Sequence, residues 1–160
     1  MLCNTPGSNT EKADEIVDRL YEADEDSNWI VFISDNDEGS AFSKRTGEKV
    51  WHDDTCGKAM YVWTREDSLF AGTSCSDDDE RRMTTLMRSA VSGGGDNAAV
   101  RDRLKTDIDN FGYDFHFMRV ASDTGNWRQR VRIYPSCAMS LNSNGYMIYV
   151  YMKSYEGRPF

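Results

Sequence analysis

The chain has 160 residues, and its 39% hydrophobic and 12% aromatic content is enough for one substantial core, so we expect a single domain over residues 1–160. A formal net charge of −8 argues against a nucleic-acid-binding surface, because phosphates are neutralised by clustered Lys and Arg. The chain has neither a long apolar run nor a signal-peptide pattern, which predicts a soluble protein without a membrane-spanning segment, either cytoplasmic or a trimmed ectodomain.

The first predicted element is an amphipathic helix over about residues 8–24. Its first residues, "SNTE", have the pattern of a capping box, in which Ser8 and Glu11 satisfy backbone donors at the start of a helix. Apolar residues then recur at helical spacing, at Ala13, Ile16, Val17 and Leu20. The acidic segment "ADEDSN" ends the helix.

Residues 28–74 predict a series of strands. The run "WIVFIS" is short, continuous and rich in β-branched and aromatic residues, which is typical of a strand buried on both faces. In "SAFSKRTGEKVWH" we expect a β-hairpin, and "AMYVW" and "LFAGTS" predict a second pair of strands. The acidic "DNDEG" has its Gly one place too early for a calcium loop, so we interpret it as a solvent-facing turn.

Two helices are predicted over residues 77–111. Ser76 caps the first, the four acids Asp77 to Glu80 lie where the helix dipole favours negative charge, and "SGGGD" ends it. The second runs from about Asp96 to Phe111, and Gly112 follows it. Because "SGGGD" lacks the Lys-Ser/Thr pair of a phosphate-binding loop and follows a helix, we interpret it as a helix terminator.

Three closing strands are predicted over residues 113–153, in "YDFHFMRVA", "WRQRVRIYPSCAM" and "GYMIYVYMK". The second contains Arg128, Arg130 and Arg132 at alternate positions, which place their side chains on one face of a strand. This row is suited to an anionic small molecule, and a solvated basic face is the alternative interpretation.

Four cysteines are scattered along the chain, at Cys3, Cys56, Cys75 and Cys137. Zinc ligands normally come in closely spaced pairs, and the chain has only two histidines, so we expect no metal site and no cofactor. Buried free thiols are the favoured interpretation. One or two disulfides, in any of three pairings, are the alternative in an oxidising compartment.

Residues suited to catalysis are few. His52 with Asp53 and Asp54 is the one candidate acid/base cluster, and His116 lies within a predicted strand among aromatic residues. Structural histidines are the favoured interpretation for both, so we expect no enzymatic activity and name no catalytic residue.

The stretch "NWIVFISDNDEGSAFSKRTGEKVWHDD" resembles a WW domain, in which two tryptophans flank a three-stranded sheet that binds proline-rich peptides. Trp29 and Trp51 stand in the corresponding positions, and "TGEKVWHDD" is similar to the family's third strand. A peptide groove needs a second exposed aromatic beside Trp51. The resemblance implies a protein-interaction module, and an acidic partner-binding surface is a related alternative.

A longer part of the chain resembles the PAS fold and its extracytoplasmic relative, the Cache domain. From "AMYVWTREDSLFAGTS" onward, two strands, two helices and three strands follow one another, and "QRVRIYPSCAMSLNSNGYMIYVYM" is similar to the family's final strand pair. The resemblance implies an α+β fold with an antiparallel sheet of five or more strands. The N-terminal helix and the two central helices would pack on one face of that sheet.

Such a fold implies a sensory role, with a small molecule bound between the sheet and the helices. Alternate residues of a strand share a face, which predicts the ligand contacts: Tyr61 and Trp63 on one strand, and Arg130, Arg132 and Tyr134 on another. An arginine beside aromatic rings suits a carboxylate ligand, because the guanidinium offers paired donors. The N-terminal helix would relay binding, to a partner protein or to a second copy of the chain.

Overall fold

The computed structural model describes residues 2–25, 28–34, 41–44, 50–53, 58–65, 75–122, 127–131, 137–156 and 158–159. A short 3-10 helix, Leu2–Asn4, precedes the helices α1 (Asn9–Ala23), α2 (Asp77–Ser92) and α3 (Asn97–Asn110). The strands are β1 (Asn28–Ser34), β2 (Ala41–Lys44), β3 (Val50–Asp53), β4 (Ala59–Arg65), β5 (Tyr113–Ala121), β6 (Trp127–Val131), β7 (Cys137–Ser143), β8 (Tyr146–Tyr155) and β9 (Arg158–Pro159).

The fold is α+β, but its strands form two antiparallel sheets where the sequence predicted one layer. The first sheet has the order β3-β4-β1-β6, and the second has the order β2-β5-β8-β7 with β9 added beside β8. The chain accordingly divides into two compact units, one containing α1 and the first sheet, the other containing α2, α3 and the second sheet. The prediction that all helices pack on one face of one sheet was therefore wrong. Whether the two units fold as one domain stays a prediction.

The first unit is built on the predicted N-terminal helix. The Ser8 hydroxyl accepts a hydrogen bond from the Glu11 amide, and the Glu11 carboxylate accepts one from the Ser8 amide at 2.7 Å, which confirms the capping box. The hydrogen bond from the Ser8 amide, together with one from the Ser8 side chain to the same carboxylate, lowers the pKa of Glu11, because both favour the charged form. The apolar face of α1 packs on one face of the sheet, where the buried residues are Ala13, Ile16, Val17, Val31, Ile33, Met60 and Val62.

The second unit holds both central helices on one face of its sheet. Ser76 and Asp96 cap α2 and α3 through their side chains, which confirms the predicted starts of both helices. Cys75 and Cys137 form a disulfide, and Cys3 is also disulfide-bonded, so the favoured interpretation of free thiols was wrong for these three residues. The bond ties the residue before the α2 cap to the first residue of β7.

The two described strands on either side of "KRTGEK", β2 and β3, do not pair with each other as the predicted β-hairpin requires. Strand β2 pairs with β5 in the second sheet, whereas β3 pairs with β4 in the first. The predicted strand "WRQRVRIYPSCAM" likewise divides into β6, which pairs with β1, and β7, which pairs with β8. Local alternation fixes which face a side chain takes but does not identify the partner strand, and this is why both pairings were missed. The predicted strand "LFAGTS" lies outside the described residues.

Candidate functional site

The predicted ligand residues lie on strands at either side of β1. In the register of the first sheet, Tyr61 is opposite Phe32 and Trp63 is opposite Ile30, while Arg130 is opposite Val31. Opposed residues of antiparallel strands share a face, so position 130 belongs to the face of Val31, which packs on α1, and positions 61 and 63 belong to the other.

The register thus brings Tyr61 together with Phe32 but does not bring position 130 onto their face. Both rings are buried and meet edge to face at 6.1 Å between centroids. Arg132 and Tyr134 lie outside the described residues, so the predicted pocket is described only in part.

The space between the second sheet and its helices is filled by side chains. Met83 and Met87 of α2 and Leu104 of α3 pack against Met118 of β5 and Val150 of β8, and all are essentially fully buried. Interiors of this kind are close-packed. The helical side of this sheet, where the resemblance implies a ligand, is therefore a core among the described residues.

The opposite face of the second sheet carries buried polar groups instead. Arg119 of β5 is opposite Tyr149 of β8, and Phe117 is opposite Tyr151. Arg119 is only 2% exposed, and it is among the largest fully buried side chains of the described residues. The Phe117 and Tyr149 rings meet edge to face at 5.8 Å, and the His116 ring lies 5.2 Å from that of Tyr151. We call Arg119, Phe117, Tyr149, Tyr151 and His116 the arginine face.

The electrostatics of the arginine face favour an anion. The Arg119 guanidinium presents five N–H donors in a planar fork. Burial, with a smaller contribution from Tyr151, raises the pKa of Tyr149 well above its ordinary value of 10.0. The Tyr149 phenol therefore keeps its proton and stays able to donate a hydrogen bond. A cationic fork beside a protonated phenol is a suitable environment for a carboxylate oxygen.

The same side of the sheet is exposed on the neighbouring strand, β7. In the register of β7 and β8, Ser140 is opposite Tyr149 and Asn142 is opposite Met147, so both belong to the same face as Arg119. Ser140 and Asn142 are exposed, whereas Tyr149 and Met147 are buried. Exposure thus falls across three adjacent strands, from β7 through β8 to Arg119 on β5.

A second aromatic cluster lies at the surface of the same unit. Phe111, which follows α3, is 41% exposed and stacks on Tyr113 at 5.5 Å. The Arg82 guanidinium lies 5.7 Å from the ring centroids of both Phe111 and Tyr155, and it donates to the Tyr155 hydroxyl at 3.0 Å. Tyr113 donates to Asp79 at 2.8 Å. These groups bind one another and hold α2 against the ends of β5 and β8, which is a structural role.

The two histidines and the surface depression beside α1 are weaker candidates for a functional site. His116 belongs to the arginine face, and His52 occupies the β3 position opposite Tyr61. No cluster of three potential metal ligands occurs in the described part of the chain. A depression of about 510 Å³ beside α1 is lined by charged residues that already have partners: Glu11 accepts from the Ser8 amide, and Glu15 pairs with Arg19 at 2.7 Å.

Sequence reasoning missed Arg119. In "FHFMRVA", the stretch of β5 that follows Asp114, Arg119 is the single charged residue among mainly apolar ones, at the same parity as Phe117. Arginine is almost never fully buried unless its charge is matched by other groups. An arginine among apolar strand residues was therefore the pattern that could have indicated this position. The ligand contacts were instead predicted on β6, because "WRQRVRI" contains alternating arginines.

Comparisons of the chain with protein-family models, with curated proteins and with solved structures give no match. None of the helices in the described ranges combines the length and the apolar character needed to cross a bilayer.

Proposed function

We propose that this protein is a non-catalytic sensory domain that binds a small carboxylate-bearing molecule, with Arg119 as the anchor of the ligand. The observation that carries the proposal is a guanidinium buried on a sheet face lined by aromatic rings and phenols. Ligand sites are typically apolar and aromatic, with a few polar groups that fix orientation. The arginine face has this composition.

The chemical class of the ligand follows from the donors. A guanidinium can hold a carboxylate through two parallel hydrogen bonds, which are stronger than hydrogen bonds between neutral groups. Its five donors also allow it to keep structural partners while it holds a ligand. The protonated Tyr149 phenol, opposite Arg119 in the register, offers a further donor. An amine or another cation would meet like charge at this face.

The sensory role is the part of the proposal that the PAS and Cache resemblance supports. That resemblance implies a ligand between the sheet and the helices, whereas the proposed site lies on the opposite face of the second sheet. Ligand contact by Tyr61, Trp63, Arg130, Arg132 and Tyr134 stays a prediction of the sequence.

Thermal unfolding in the presence of small acids tests the proposal. A ligand that binds only the folded state stabilises it by about 2.7 kcal/mol when present at one hundred times its Kd. We expect a rise in Tm with one or more members of a panel of mono- and dicarboxylates. The corresponding neutral amides and amines should leave Tm unchanged.

Three variants identify the site. Arg119→Lys keeps the charge but loses the fork, so the carboxylate response should disappear. Arg88→Lys makes the same exchange at an exposed position of α2 and should keep the response. A response lost in Tyr61→Phe but kept in Arg119→Lys would assign the ligand to the sequence-predicted residues. The absence of any carboxylate response in the wild-type protein would contradict the proposed function.

A further inference from the structure

A pair of tryptophans, one of them exposed, lies on the first unit, and it belongs to a different sheet from the arginine face. Trp51 of β3 is 52% exposed, and its ring centroid lies 6.1 Å from that of Trp29 on β1. Trp51 is opposite Val62 and Trp29 is opposite Thr64, so both share the face of the sheet on which α1 packs. Trp51 and Phe111 are the only exposed large hydrophobic residues in the described ranges.

Trp51 differs from Phe111 in its surroundings. Phe111 stacks on Tyr113 and lies beside the Arg82 guanidinium, so a cation of the chain itself already occupies its vicinity. Among the described residues, Trp51 contacts the half-buried indole of Trp29, and about half of its own surface is exposed to solvent. Indole has the most favourable ring face for a cation among the aromatic side chains.

The end of α1 adds negative charge beside this pair. The Trp29 indole nitrogen donates to the backbone carbonyl of Asp24, the C-cap of α1, at 3.3 Å. Glu22, Asp24 and Glu25 are all exposed there, and the last turn of α1 contains no basic residue. The carbonyl end of a helix dipole is also negative. The two indoles therefore lie beside a surface that is negative both from its carboxylates and from the helix dipole of α1.

We propose that the Trp29–Trp51 pair binds a Lys- or Arg-bearing segment of a partner protein. A basic side chain stacks on the Trp51 indole, and further basic residues of the segment meet the carboxylates at the end of α1. Charge complementarity selects this partner, because an acidic segment would be repelled. Among the described strands β3 lies at the edge of its sheet, paired only with β4, and an extended segment can lie along such an edge.

Fluorescence anisotropy with labelled peptides tests the inference. A peptide with several lysines is compared with the same peptide acetylated at every lysine, which keeps its length but removes its charge, and with a neutral proline-rich peptide. We expect binding of the lysine peptide, weakened by added salt, and no binding of the acetylated form. Equal binding of the acetylated or the proline-rich peptide would overturn the inference, and so would no binding at all.

Variants distinguish peptide binding at the tryptophan pair from nonspecific binding to the acidic surface of the chain. Trp51→Ala should weaken binding by about tenfold or more, Trp51→Phe should restore part of it, and Glu25→Lys should weaken it as well. Phe111→Ala removes the other exposed aromatic and should leave the affinity unchanged. Unchanged affinity in Trp51→Ala would instead assign the binding to diffuse surface charge. Trp51→Ala should keep the carboxylate response of the arginine face, so the two proposals fail independently.

Discussion

Removal of the Cys75–Cys137 disulfide should strongly destabilise the protein. The bond joins residues 62 positions apart, and a cross-link limits the conformations of the unfolded chain. For a loop of this length the chain-entropy relation gives about 4 kcal/mol at 25 °C. That loss is a large fraction of the roughly 5–15 kcal/mol by which domains are usually stable. The variant Cys75→Ala/Cys137→Ala should therefore unfold at a much lower urea concentration than the oxidised wild-type protein.

The assay needs a control because reductant also opens the bond made by Cys3. Urea unfolding followed by circular dichroism is measured for wild type and for the double variant, each with and without reductant. Reductant should reduce the free energy of unfolding more in the wild type than in the double variant, by about 4 kcal/mol. Alkylation of Cys75 or Cys137 in the native protein without reductant, or a loss below about 1 kcal/mol in the double variant, would refute the reasoning.

Three further predictions concern the helices and the arginine face. Ser8→Ala removes the side-chain cap of α1 and should lower the free energy of unfolding by about 1 kcal/mol, measured in urea. Met87→Ala opens a cavity between α2 and the second sheet and should cost about 2–5 kcal/mol of the free energy of unfolding. The free energy of unfolding should fall as pH rises above 10, because the Tyr149 phenol loses its proton in the unfolded chain before it does so in the folded one. Tyr149→Phe should make that alkaline decline shallower.

The helices could be predicted from the sequence because their determinants are local. A cap, a 3.6-residue apolar period and a terminator lie within one segment, as for Ser8 and the apolar residues of α1. The same holds for Ser76 before α2 and Asp96 before α3. Each start was placed correctly because the side chain that accepts the first free amide stands in the sequence beside the helix it caps.

The pairing of the strands could not be predicted in the same way. Strand β2 has the local pattern of a hairpin arm, yet its partner β5 lies beyond both central helices, with Phe42 opposite Arg119. Strand β6 pairs with β1 at the other end of the chain, with Arg130 opposite Val31. Contacts between residues so distant in sequence depend on the whole packing, so alternation within a strand does not determine them.

The two proposed sites share a physical feature that a sequence pattern does not show. Arg119 is a charged side chain in the interior, and Trp51 is a large apolar side chain at the surface, so each reverses the ordinary distribution of its residue type. From sequence alone, Arg119 belongs to an apolar strand and Trp51 to a hairpin arm. Their burial in the structure distinguishes Arg119 from the other arginines, and Trp51 from Trp29, among the side chains that the structure describes. Positions where local rules are broken are where function is expected, because a group placed against its own preference lowers stability unless it serves another role.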